Sequence, residues 1–507
     1  MTLVTKSSGK LFPWFWIGMA VVFLLSVSLR FWGLSRFNTL VFDEVYFAKF
    51  ANDYLRHTPF FDTHPPLSKY LIAIGIWLGS HFPIGKDTVN NLTGSQVSTF
   101  SYRCMNALTG SFIPLVVGAI AYQLSHRRSY AFIASLLIAV DGLFLVESRY
   151  ALTNIYLVFF GLLGQWFLLR ALDNQPGRRG LWLALSGVCF GASASIKWNG
   201  LWFLFGAYLL WICAWVIRLV KSLRPVASDS FTTQQSSVSG LSNPTDTQTP
   251  LQNLTQLNFL HLIFDLGIIP AVVYSLVWIP HLQQNPTPGF WEMQKQILGY
   301  HQHIGSGAQE HPYCSAWYTW PWMIRPVGYF FEKTGNTPNP SSALGSAVSA
   351  TTGQELYYDV HGMGNPVLWW LSTLAIILVL SMLVLRIQAW ATVPETTADH
   401  NIPLVQPVDF WIALYLIVNY AANLLPWLRV TRCTFLYHYM GSSIFAFLAI
   451  AWIVEQCLRS YLVWLRAVGV TIIFFIFLAF LFWLPVYLGL PLSPEEFQLR
   501  MLFRSWI

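Results

Sequence analysis

Charge is scarce in this 507-residue chain: Asp, Glu, Lys and Arg make up 10% of it, against 55% hydrophobic and 17% aromatic residues. A soluble domain carries about 25% charged residues, so the deficit excludes one and points to an integral membrane protein. Acids are scarcest, 22 against 29 Lys and Arg, which leaves a formal charge of +7. Cysteine is sparse too, six in all with no CxxC pair, which argues against a zinc or thiol-redox centre. Cys314 and Cys433 fall on the same expected side of the membrane, and the sequence leaves their pairing open. No internal repeat of the kind found in many transporters is visible.

What is abundant is apolar runs long enough to cross a bilayer as helix. They cover roughly residues 11–29, 102–125, 129–147, 150–171, 180–196, 200–220, 258–281, 366–388, 408–426, 434–456 and 465–488, about eleven spans. The first run lacks a small-residue cleavage site and reads as a retained anchor. With the N-terminus cytoplasmic, each expected inner loop is basic: Arg127 and Arg128, Arg178 and Arg179, Lys221 and Arg224, Arg386, Arg459 and Arg466. Basic loops against anionic membrane lipids account for the positive charge, and no nucleic-acid partner is needed. This orientation puts two large loops outside, residues 34–101 and 283–365. Residues 222–257, rich in Ser, Thr and Gln, read as a disordered cytoplasmic linker between transmembrane modules 1–221 and 258–507.

The polar residues collect at expected outer helix ends. FDEVYFAKFANDYL brings Asp43 and Glu44 to the start of an interfacial helix, where acids also serve simply to satisfy free amides. FFDTHPPLSKYL adds Asp62, His64 and Lys69 before a second helix. Arg103, Glu147, Arg149 and Lys197 stand at later outer helix ends. Each basic residue could merely reach for the interface, but converging on one face they would bind an anionic headgroup. HPYCSAWYTWPWMIRPV, with His311, Trp320 and Arg325, fits an interfacial aromatic belt and equally a platform for a sugar or peptide; Arg432 and His438 follow in RVTRCTFLYHYM.

In the order FDEVYFAKFANDYL, FFDTHPPLSKYL, YRCMNALTG, ESRYALTN, IKWNGL, HPYCSAWYTWPWMIRPV and FLYHYM, the chain resembles the protein O-mannosyltransferases, membrane glycosyltransferases of the GT-C class. The resemblance spans all but the polar linker. It implies an all-α polytopic bundle with interfacial helices, and transfer of mannose from a polyprenyl phosphate carrier to Ser or Thr of proteins outside the membrane. By motif, Asp43 resembles the catalytic base with Glu44 its neighbour, and Arg103, Arg149 and Lys197 the donor-phosphate ligands. Asp62, His64, His311, Trp320, Arg325, Arg432 and His438 would then contact acceptor or sugar. The chain lacks the long repeat domain of eukaryotic members and so resembles compact bacterial ones, which implies a plasma-membrane location. Asn154 stands where many members have Asp, so a carboxylate there is not required in this chain.

The chemistry agrees independently. Displacing a phosphate ester needs a base for the attacking hydroxyl and cations for the leaving group, not the two opposed carboxyls of a glycosidase. Adjacent acids on a helix diverge by roughly 100°, so one of the two, Asp43, is expected to act. One carboxylate implies inversion, and a basic cluster makes metal unnecessary. The lipid-linked sugar is then the only small molecule required. Two rivals remain: a related enzyme passing another sugar to a lipid or wall glycan, and a lipid-linked sugar transporter. The transporter would need charges near mid-membrane, for which Asp141 and Glu455 are the candidates.

Overall fold

The computed structural model describes residues 13–82, 88–173, 176–223, 250–305, 307, 309–334, 355–392 and 407–507. The apolar runs are helical, as hydrocarbon requires of a backbone that must satisfy its own amides. In chain order the helices are α1 Trp14–Phe31, α2 Glu44–Leu55, α3 Leu67–His81, α4 Thr99–Ser125, α5 Arg128–Ala139, α6 Gly142–Arg149, α7 Asn154–Ala171, α8 Arg179–Ala194 and α9 Leu201–Ser222. After the polar linker come α10 Pro250–Leu254, α11 Phe259–Ile263 running through a π turn into α12 Ile269–Gln284, and α13 Phe290–His303. The last are α14 Pro366–Thr392, α15 Pro407–Leu424, α16 Met440–Arg459, α17 Val463–Leu488 and α18 Pro494–Arg500.

Among the described residues nine helical spans are long and apolar enough to cross a membrane, and the pair α5–α6, bent by 60°, would make ten. The expected count of about eleven is not reached. The run at 180–196 is α8, whose 16 residues give roughly 24 Å of helix against ~30 Å of hydrocarbon. The bend follows from Asp141, which accepts the Phe144 amide (3.0 Å) and so starts a new helix. Gly142 is required beside it, because a Cβ there would run into the Tyr487 ring.

The chain between α1 and α4 forms α2, α3 and a small hairpin, β1 Val89–Asn90 with β2 Val97–Ser98. The chain between α12 and α14 departs from an all-helical expectation. Beyond α13 it holds strands β3 Val327–Lys333 and β4 Tyr357–Gly362, antiparallel with Phe330 opposite Val360, and β5 Pro491–Leu492 joins β4 from the far end of the sequence. Cys314 and Cys433 form a disulfide, Cα atoms 5.3 Å apart, that ties this region to the segment before α16. Helix α9 packs on α15 and α5 on α16, so one hydrophobic core runs through both of the expected modules. The expected linker lies outside the described residues over 224–249, and its last part is helical as α10.

Candidate active site

The acidic pair divides into two unlike groups. Phe42 holds a left-handed backbone (φ 52°), an uncommon state for a non-glycine residue, and its ring stacks on Tyr329 at 4.3 Å. The two acids that follow open α2, where successive side chains diverge by roughly 100°. Glu44 is fully buried and its oxygens are committed: Arg103 donates to both (2.8 and 2.7 Å), the Val41 amide donates to Oε2 and the Ala151 amide to Oε1 (2.8 Å each). Arg103 spends its remaining N–H groups on the carbonyls of Leu34, Phe37 and Thr39, at 3.1, 3.0 and 2.9 Å. All five of its donors are used, and none is left for a phosphate. Arg149 is likewise buried and donates to the carbonyls of Leu29, Arg30, Trp32 and Gly33, closing the C-terminal end of α1. The phosphate-binding role expected of Arg103 and Arg149 thus meets two guanidiniums turned inward to hold the loop that carries Asp43.

Asp43, by contrast, makes no side-chain cap and faces Lys197 with its carboxylate half-buried. Burial pushes its pKa up to about 6, partly offset by Lys197. Lys197 sits in the extended break between α8 and the 3-10 turn Trp198–Gly200. Its Nζ donates to Asn154 Oδ1 (2.8 Å) and lies 5.5 Å from the Tyr437 ring. Burial lowers its pKa to about 8, against the raising influence of Asp43 and Glu147. Asn154 Nδ2 donates to both Glu147 oxygens (3.2 and 3.3 Å), and Tyr329 Oη donates to Glu147 Oε1 (2.5 Å).

Arg432 joins this cluster from the other half of the chain. Its Nη1 donates to the Cys433 carbonyl (3.0 Å), and its charge bears on Lys197, His64, His301 and His438. The disulfide at Cys433 and paired bonds between Ser315 and Thr434 fix the segment it stands on. His64 and His301 stack at 5.3 Å; burial and neighbouring cations lower both, His301 to about 4, so both are neutral imidazoles near neutral pH. Asp62 is not open to a ligand, since it pairs with Lys69 (2.5 Å) and accepts the His64 amide.

The remaining expected contacts lie deeper or farther out. Trp320 is fully buried, donating to Ser315 Oγ (2.9 Å), and His438 is pinned to the Phe435 backbone beside Trp427. His311 packs on Phe435, and Arg325 donates to the carbonyls of Pro312, Ser505 and Ile507. Neither is brought to Asp43. Residues the sequence reading left without a role, namely His301, Tyr329 and Tyr437, do line the cluster. Only their aromatic setting signalled them. The two mid-membrane candidates are also committed: Asp141 accepts from Asn365 N (3.0 Å) and Trp369 Nε1 (2.8 Å), and Glu455 from Arg127 (3.2 Å) and Ser129 (2.9 Å).

A polytopic helical bundle that gathers one open carboxylate, two cations and two neutral histidines at one end has the makings of a membrane glycosyltransferase working on a lipid-phosphate sugar. Comparison with known proteins bears on that class directly. Residues 20–284 match the family model described as dolichyl-phosphate-mannose-protein mannosyltransferase, and 287–506 match that of the C-terminal four-transmembrane region of protein O-mannosyltransferase. The chain belongs to the dolichyl-phosphate-mannose-protein mannosyltransferase family. It is 24% identical to polyprenol-phosphate-mannose–protein mannosyltransferase of Corynebacterium glutamicum, covering 96% of this chain and 92% of that protein. A Mycolicibacterium smegmatis protein of the same name is also 24% identical, over 97% and 93%. Among solved structures, the Saccharomyces cerevisiae protein O-mannosyltransferase Pmt1–Pmt2 complex bound to the sugar donor shares the fold, with TM-score 0.70 at 15% identity, covering 100% of this chain and 93% of that one.

Proposed function

We propose that the protein transfers mannose from a polyprenyl phosphate mannose to Ser or Thr hydroxyls of polypeptides on the outer side of a bacterial plasma membrane. The carrying observation is the asymmetry of the acidic pair: Glu44 has no lone pair to spare, whereas Asp43 faces the basic cluster uncommitted. Asp43 takes the proton of the attacking hydroxyl as its oxygen bonds to the anomeric carbon. The sugar–phosphate bond breaks on the opposite side, and Lys197 and Arg432 receive the charge of the leaving phosphate. This assigns the phosphate to Lys197 and Arg432 in place of Arg103 and Arg149. His64 and His301, neutral and stacked, suit sugar hydroxyls. Attack opposite the leaving group inverts the anomeric centre, and two fixed cations supply what a divalent metal otherwise would, so transfer in EDTA is expected undiminished.

The test is transfer of radiolabelled mannose from the lipid donor to a Ser- and Thr-containing peptide in membranes. Asp43→Asn at matched expression is expected to lose roughly 10²–10⁴-fold in rate, the range for a general base. Equal transfer by the two proteins would move catalysis away from Asp43, and a retained anomeric configuration in the product would overturn single displacement.

A further inference from the structure

We propose that Asn154 is a positioning residue for this reaction: clamped by Glu147, its side-chain amide aims the Lys197 ammonium and leaves that charge free for the donor phosphate. The inference rests on the reading of Lys197 as a phosphate ligand. The geometry is a directed chain, Tyr329 Oη to Glu147 (2.5 Å), Asn154 Nδ2 to Glu147 (3.2 and 3.3 Å), and Lys197 Nζ to Asn154 Oδ1 (2.8 Å). An ammonium can only donate, so the amide beside it has one possible orientation, which leaves its N–H groups to the Glu147 oxygens. Its carbonyl must face Lys197.

A neutral acceptor matters here because of what else faces the ammonium. Asp43 approaches from the start of α2, Glu147 from α6, Lys69 from α3, and Arg432, Tyr437 and His438 from the chain around the start of α16; His64 and His301 lie nearby. The amide takes one of the three ammonium protons without taking its charge. A carboxylate at 154 would instead form a closed ion pair with Lys197, competing with the phosphate, and would set a second anion against Glu147. An apolar side chain would leave Glu147 and Lys197 each short of a partner inside the protein.

The experiment is steady-state transfer with the lipid donor varied, across pH 5 to 10, for wild type, Asn154→Asp and Glu147→Gln, each purified into nanodiscs. Wild-type kcat/KM is expected to fall above about pH 8 as Lys197 loses its proton. Asn154→Asp should hold that proton, moving the alkaline limb upward, while raising donor KM roughly ten- to a hundredfold with a smaller change in kcat. Glu147→Gln removes an anion facing Lys197 and should move the limb downward. If Asn154 only stabilises the fold, yield and kcat fall but the limb stays in place; an unmoved limb in either folded variant overturns the proposal. Wild type that transfers no mannose, or Lys197→Gln with unchanged donor KM, would instead remove the reading of Lys197 on which it rests.

Discussion

Residue by residue, the sequence placed Asp43, Glu44, Arg103 and Lys197 on one side of the membrane but could not say which of them face each other. Spacing gives a side chain's height and helix face, not the carbonyls it will meet. Arg103 was legible as a cation at a helix end, whereas three of its five internal hydrogen bonds depend on how residues 34–39 wrap around it and the other two on Glu44. Glu44 and Arg103 form a buried pair whose rupture from one side costs about 3–5 kcal/mol. Glu44→Gln and Arg103→Ala should therefore lower the thermal aggregation midpoint in detergent, whereas Asp43→Asn leaves it unchanged or raised. A normal midpoint in the Glu44 variant would return Glu44 to the chemistry. The free enzyme's pH profile follows from the two shifted groups. The base must be ionised, so kcat/KM falls as pH drops through about 6, and the ammonium must be protonated, so it falls again above about 8. A bound phosphate stabilises the ammonium, which should carry the alkaline limb of kcat above that of kcat/KM.

At the scale of elements, the apolar runs were read well because hydrocarbon imposes helix on them. The break between α5 and α6 was present as Asp141 and Gly142 within an otherwise apolar run, a helix-start signal hidden by the hydropathy around it. The three-stranded sheet was missed for a different reason: in VGYFFEK the alternation of burial holds only over its first half, its aromatics also suit an interfacial belt, and β5, which pairs with β4, is remote in sequence. The disulfide could be judged only once the Cα atoms were placed 5.3 Å apart. Because it holds the segment that presents Arg432, replacing Cys314 and Cys433 by Ser should weaken donor binding along with stability, the latter by about 2–5 kcal/mol. A lower midpoint with unchanged donor KM would limit the bond to a structural part.

For the whole molecule, the basic residues Arg127 and Arg459 gather on Glu455 at the opposite end of the bundle from Asp43, in keeping with an inner face and an outer face. In a chain whose Cys104, Cys189, Cys213 and Cys457 are replaced, Trp291→Cys should react with an impermeant maleimide in intact cells. Tyr461→Cys, at a position 86% exposed, should react only after the membrane is opened. The reverse pattern would invert the orientation and with it the side on which proteins are modified. The sheet adds a condition on timing. Tyr329 on β3 steadies Glu147, yet β4 meets its last neighbour only when residues 491 and 492 have been made. At ~5–20 residues per second of synthesis, β4 waits on the order of ten seconds for that strand. A ribosome stalled before β5 would thus leave nearly every span threaded through the bilayer around a catalytic centre that has not yet been finished.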